Sequence, residues 1–206
     1  MAKMKQQIVF FEEGKTLPSG SVLAAPNMVA YIRDVLDVGP IGAVVKRFIK
    51  LPVLDMVRLG LRNLPHLLKI VGKDFVSGLL ILVEIELLKS KKAKIASVVL
   101  TDQVSDLGIA FGNNVLYDRF IKLAHAYEKD AGIWTNNFKT TAIRLGKWRL
   151  RPDFMVVPQE TGRDLWETSG IKIGVIENKA ELVFYQATAK NEERSGGSRL
   201  LRLPTT

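Results

Sequence analysis

The chain has 206 residues, 47% of them hydrophobic and 25% charged, the balance of a folded chain with one main core, which excludes wholesale disorder. It has no cysteine and two histidines, His66 and His125, so disulfides, thiolate metal clusters and cysteine nucleophiles are excluded. Any metal is then expected on carboxylates, as a hard ion such as Mg2+ or Mn2+. Thirty Lys and Arg against twenty-one Asp and Glu give a net charge of +9, and fifteen basic against eight acidic residues put +7 of it on residues 1–100. Such an excess attracts polyanions, so nucleic acid or an anionic membrane surface leads the expected partners.

Lys3 and Lys5 precede only the short apolar run Ile8–Phe11, far below a signal-peptide core, and no apolar stretch reaches the ~20 residues of a spanning helix. A cytoplasmic or nucleic-acid-associated protein is expected, not a secreted one. Residues 1–26 read as a strand near Gln7–Glu12 and a turn-rich connection through Gly14, Pro18 and Gly20.

Residues 27–94 form a basic helical region, with apolar residues at helical spacing and breaks at Gly39-Pro40, Pro52 and Pro65. Met28, Ile32, Val35 and Leu36 make one stripe, Val44, Val45, Phe48 and Ile49 a second, and Leu54, Val57 and Leu61 a third. Pro52 and Pro65 are each expected to open a fresh helix. Lys46, Arg47, Lys50, Arg58, Arg62, Lys69 and Lys73 decorate this array. They suit solvated helix faces, a nucleic-acid clamp, or a basic amphipathic surface for lipid. A homodimer or a protein partner through 27–94 is also expected from so apolar a region. Periodicity leaves Gly78–Leu88, with Glu84 and Glu86, open between helix and strand.

Residues 95–206 read as an α/β (α+β) domain. A strand is expected at Ile95–Leu100, a helix capped by Asn114 to about Asp130, a long strand over Thr140–Val157, a second over Ile171–Lys179, a helix over Ala180–Arg194, and a basic tail. Strand alternation puts Lys147, Arg149, Arg151 and Asp153 on one face of the first strand. It puts Ile173, Val175, Glu177 and Lys179 on one face of the second. Two carboxylates and a lysine at neighbouring strand ends suit phosphodiester hydrolysis. Asp153 and Glu177 would hold the divalent ion, Lys179 would orient the attacking water or stabilise the pentacovalent oxygens, and Lys147, Arg149 and Arg151 would grip nucleic acid phosphates. Glu128, ending the stripe Tyr117, Ile121, Ala124, is the natural third carboxylate. The plainer account of the same residues is that Asp153 accepts a hydrogen bond at a strand end and Glu177 pairs with Lys179 on a solvated face.

Arg151-Pro152-Asp153 followed by Glu177-Asn178-Lys179, with an apolar strand before each, resembles the PD-(D/E)XK nuclease superfamily. The resemblance covers about residues 114–190. It implies a restriction-endonuclease-like αβββαβ core and magnesium-dependent cleavage of DNA or, less often, RNA. By it Asp153 and Glu177 become metal ligands, Lys179 the catalytic lysine, and Glu128 the acidic residue of the preceding helix. Gln186 falls where some members place a substrate-side polar residue. The competing expectation is a non-catalytic nucleic-acid-binding or assembly protein that uses its basic helices.

Three other signals carry less. Gly14-Lys15-Thr16 lacks the upstream glycine of a phosphate loop, with Val9 in its place. His125 beside Glu128 has no second histidine for zinc. Trp134, Trp148 and Trp166 suit a core better than a base-stacking platform.

Overall fold

The computed structural model describes residues 2–11, 17–71, 75–158, 172–178 and 181–186. Its centre is a closed seven-stranded barrel in the order β1 (Ala2–Phe10), β2 (Val22–Ala25), β3 (Ser97–Leu100), β4 (Asp130–Trp134), β5 (Phe154–Pro158), β6 (Lys172–Asn178) and β7 (Glu181–Gln186). Strands β1 to β6 are mutually parallel. β7 closes the barrel antiparallel to both β6 and β1. The chain is thus α/β, and β1 and β2 share one sheet with the strands after residue 95.

Short, doubly buried strands explain the apolar runs. β2, β3 and Phe154–Val157 of β5 are buried throughout, as parallel strands are when helices cover one face and the barrel interior the other. Alternation splits the core in two. Leu23, Val98, Leu100, Ile133, Met155 and Ile173 face the helices, while Ile8, Val22, Ala24, Val99, Phe154 and Val156 fill the interior. The interior is narrow. A Cβ on Gly132 would overlap the Phe154 ring, so glycine on β4 makes room for the aromatic ring on β5.

Helices α1 (Met28–Phe48), α2 (Val53–Val71) and α3 (Phe75–Lys89) all lie between β2 and β3, α4 (Asp102–Ala110) and α5 (Asn114–Ala126) follow β3, and α6 (Phe138–Trp148) links β4 to β5. Asn27, Asn113 and Asn137 cap α1, α5 and α6, each side chain accepting from a backbone N–H of the first turn. The α5 cap is therefore Asn113, one residue before the expected Asn114. The break expected at Gly39-Pro40 is real: Gly39 has φ 75° and ψ 169°, a backbone conformation that suits glycine. Lys46 and Arg47 then reach Asp34 at 2.8 and 2.9 Å. Twelve residues of straight helix would span about 18 Å, so the second half of α1 folds back on the first.

Several expectations are corrected. Pro65 lies inside α2 and opens no helix. Gly78–Leu88 is helical, within α3. Thr140–Val157 is not one strand but α6, a turn and β5, because Phe138, Thr141 and Leu145 bury one helical face. A helix therefore separates β4 from β5, and the described residues do not follow an αβββαβ order. Within Ala180–Arg194, residues Glu181–Gln186 form the closing strand β7, which places Gln186 on a strand.

α3 is buried nearly all round and carries two buried carboxylates. Glu84 and Glu86 are two residues apart, about 200° around a helix, so they address different neighbours. Glu84 meets Asn63 at 2.8 Å, Tyr127 at 2.7 Å and Arg62 at 3.2 Å. Glu86 meets α1 and the residue after the cis Ala25-Pro26 bond. Charges this deeply buried persist only when paired and hydrogen-bonded.

Candidate functional site at the carboxyl end of the strands

Parallel strands bring their carboxyl ends to one side, where the loops that follow them converge and where α/β folds place their ligands. Here that side collects Phe10 and Phe11 at and after the end of β1, Asn27 after β2, Thr101 and Asp102 after β3, and Trp134 to Asn137 at and after β4. Phe10 and Trp134 approach with ring centroids 6.4 Å apart.

The ends of β3 and β4 are tied by side chains. The Thr135 hydroxyl donates to Asp106, and the Asn136 backbone N–H donates to the same carboxylate at 3.1 Å. The Asn136 amide also reaches Asp102 at 3.1 Å. Thr135 and Thr141 share a hydrogen bond of 2.9 Å. The buried hydroxyls of Thr101 and Ser105 find no hydrogen-bond partner among the described residues.

Beside this network, at the ends of β1 and β2, lies a cavity of about 580 Å³ between α1 and α3. Phe10, Phe11 and Asn27 line it from the strand side, Arg33 and Arg47 from α1, and Glu86 and Lys89 from α3. With Lys46 and Lys50 the lining holds five basic side chains against two carboxyls, Asp34 and Glu86. Lys89 lies 5.6 Å from the Phe11 ring centroid. The Glu86 carboxylate, 1% exposed, accepts the Asn27 N–H at 3.0 and 3.1 Å and Arg47 at 3.2 Å. Burial pushes its pKa up to about 7, against the opposing pull of the Asn27 N–H, Arg47 and Lys89. The cavity thus offers positive charge, an aromatic wall and one carboxyl able to exchange a proton near neutrality.

The two carboxylates expected to share a metal ion, Asp153 and Glu177, are not brought together. Asp153 precedes β5, at the amino end, where its Oδ2 accepts the Ala131 N–H at 2.7 Å and lies 2.7 Å from His125 Nε2. This is the plainer role, a hydrogen bond at a strand end. Glu177 is the penultimate residue of β6, at the carboxyl end. Because Phe154 is level with Lys172 and Pro158 with Ile176, the two positions lie about 20 Å apart along the strands at the usual rise. Metal bridging needs donor oxygens within about 2.5 Å of one ion, out of reach from there. The expected convergence assumed that both residues end their strands on one side, and parallel pairing puts them at opposite ends.

Glu128 is exposed just past the end of α5, with φ 57°. Lys147 is on α6, Arg149 is its left-handed C-cap, and Arg151 follows in the connection to β5, so no strand face aligns the three. Lys179, Gly14-Lys15-Thr16 and Trp166 lie outside the described residues. Trp148 packs against Tyr117 with centroids 5.7 Å apart, a core role. Among the described residues no group of three or more His, Asp or Glu is placed to hold a metal ion. The Arg47–Glu86 pair was missed because its members are thirty-nine residues apart on helices whose packing no local pattern reveals.

No family model matches the chain, and neither a curated protein nor a solved structure matches it.

Proposed function

We propose that this chain is a ligand-binding α/β barrel protein whose site is the cavity at the carboxyl ends of β1 and β2, and that the ligand is a small organic anion carrying a phosphate or carboxylate. The supporting observation is the lining itself: five basic side chains around a buried carboxyl in a volume of about 580 Å³, within the range of small-molecule sites. Arg47, held by Asp34 on one side and Glu86 on the other, has the fixed donor geometry that suits an oxyanion. Glu86 would take up or release a proton as the ligand binds.

Magnesium-dependent phosphodiester hydrolysis, the activity implied by the resemblance, is the competing proposal, and one experiment separates them. Sugar phosphates, nucleoside monophosphates and small dicarboxylates are titrated calorimetrically into the protein and into Arg33→Gln, an exposed lining residue. In parallel, labelled DNA is incubated with magnesium, with the Glu177→Ala protein alongside. Binding of one anion class that weakens about tenfold in Arg33→Gln, without DNA cleavage, is the expected result. Metal-dependent cutting that disappears in Glu177→Ala would replace the proposal, and no binding by any class would end it.

A further inference from the structure

The layer made by α1 and α2 exposes apolar side chains on a scale the rest of the described surface does not. Of the seventeen large hydrophobics exposed among the described residues, eleven lie between Val29 and Leu61. Leu36 is 82% exposed, Leu54 85% and Leu61 72%. They fall at helical spacing: Val29, Ile32, Leu36 on the first half of α1, Ile41 and Val45 on its second half with the C-cap Ile49, and Leu54, Val57, Leu61 on α2. Val44, Phe48, Met56 and Leu59 anchor the second half of α1 and α2 to α3 through one shared cluster. The outward stripes of both therefore face away from α3 together. A helix apolar on its inner side has no folding reason to be apolar on its outer side as well.

The charge pattern identifies what covers this face. Five apolar positions are followed at once by a basic residue: Ile32-Arg33, Val45-Lys46, Ile49-Lys50, Val57-Arg58 and Leu61-Arg62. One residue is about 100° around a helix, so each apolar stripe carries a basic border. From Asn27 to Asn63 six basic residues stand against three acidic ones; Asp34 pairs with Lys46 and Arg47, Asp37 lies 3.9 Å from Lys46, Asp55 pairs with Lys91, and Arg62 pairs with Glu84. We infer that α1 and α2 dock this protein on an anionic lipid bilayer surface, with the apolar stripes entering the headgroup–acyl boundary and the basic borders meeting lipid phosphates. A second copy suits the face less well, since it would bring the same positive borders together and lysine is depleted at such interfaces. No described helix is long and apolar enough to cross a membrane, so the helices lie on the bilayer and do not span it.

The test is vesicle flotation of the full chain, with sedimentation velocity alongside. The vesicles are phosphatidylcholine, alone or with about 30% phosphatidylserine, a typical anionic surface. The expected result is flotation with the anionic vesicles, weakened by high salt, and much less with phosphatidylcholine alone. Leu36→Asp combined with Leu54→Asp should cut binding more than about tenfold, while the melting transition is unchanged because both side chains are exposed. Arg58→Gln, outside the cavity lining, should weaken only the anionic arm. Three results would overturn the inference: no flotation, flotation indifferent to the Leu36/Leu54 pair, or a dimer that the same pair dissociates while lipid binding is absent, which would make a second copy the occupant.

Discussion

The Glu86 carboxylate accepts the Arg47 guanidinium at 3.2 Å from a position 1% exposed, joining α3 to the folded-back half of α1. Arg47 is itself fixed by Asp34 at 2.9 Å. The groups facing Glu86 are the Asn27 N–H after β2, Arg47 on α1 and Lys89 on its own helix. Even together they do not offset burial, and its pKa stands at about 7 against an ordinary 4.5. Between those values the folded state holds a proton that the unfolded chain has released. Stability is therefore greatest below about pH 4.5 as far as this group is concerned, and is lost as pH rises to 7, by at most about 3 kcal/mol. Urea unfolding of the native protein and Glu86→Gln across pH 4.5–8 checks this: the variant should lack that slope and be the more stable of the two at pH 8.

Arg47→Met should behave oppositely. It removes the partner and leaves Glu86 buried, which costs about 3 kcal/mol near neutrality where breaking a buried pair is expensive. The double variant Arg47→Met with Glu86→Gln should recover much of that loss. A double-mutant cycle by chemical unfolding measures the coupling, and additive losses would mean that the two side chains do not share the interaction described.

In the barrel interior the test is steric. A methyl at Gly132 would overlap the Phe154 ring, and overpacking a closed interior costs about 1–3 kcal/mol. Gly132→Ala should lower the melting temperature, and Phe154→Leu in the same chain should restore part of it by opening space where the ring was. If Gly132→Ala alone is neutral, the interior is looser than the packing of β4 on β5 implies.

The sequence shows parts of this architecture because some elements are local and others are not. The turn at Gly39-Pro40 was legible, since a glycine–proline pair interrupts a helical stripe whatever surrounds it. β3 was legible as a bounded apolar run. α6 is masked in the sequence: Asn137 caps it and Phe138, Thr141 and Leu145 keep helical spacing, but the alternation from Lys147 to Asp153 is the stronger local pattern and points to strand. β2 is not legible locally, because four apolar residues followed by a proline resemble a loop until β1 and β3 pair with them on either side. The site suffered most. Spacing along two strands cannot tell parallel from antiparallel pairing, and that difference alone separates Asp153 from Glu177.

The Asp153 position therefore supplies a direct check on which end of the barrel works. Its carboxylate bonds the Ala131 N–H at 2.7 Å and His125 at 2.7 Å and is half-exposed, so its contribution is structural and modest. Asp153→Ala leaves the Ala131 N–H without this acceptor and should cost about 1–2 kcal/mol by thermal or urea unfolding. Asp153→Asn, which keeps one oxygen for that N–H, should cost less. Because the cavity of Arg47 and Glu86 lies at the opposite end of the strands, neither substitution should change the affinity for a bound anion. Arg33→Gln should show the converse, weakened binding with unchanged stability. An Asp153→Asn protein that folds normally yet loses anion binding would move the functional site to the amino end, where His125 would then be the next residue to substitute.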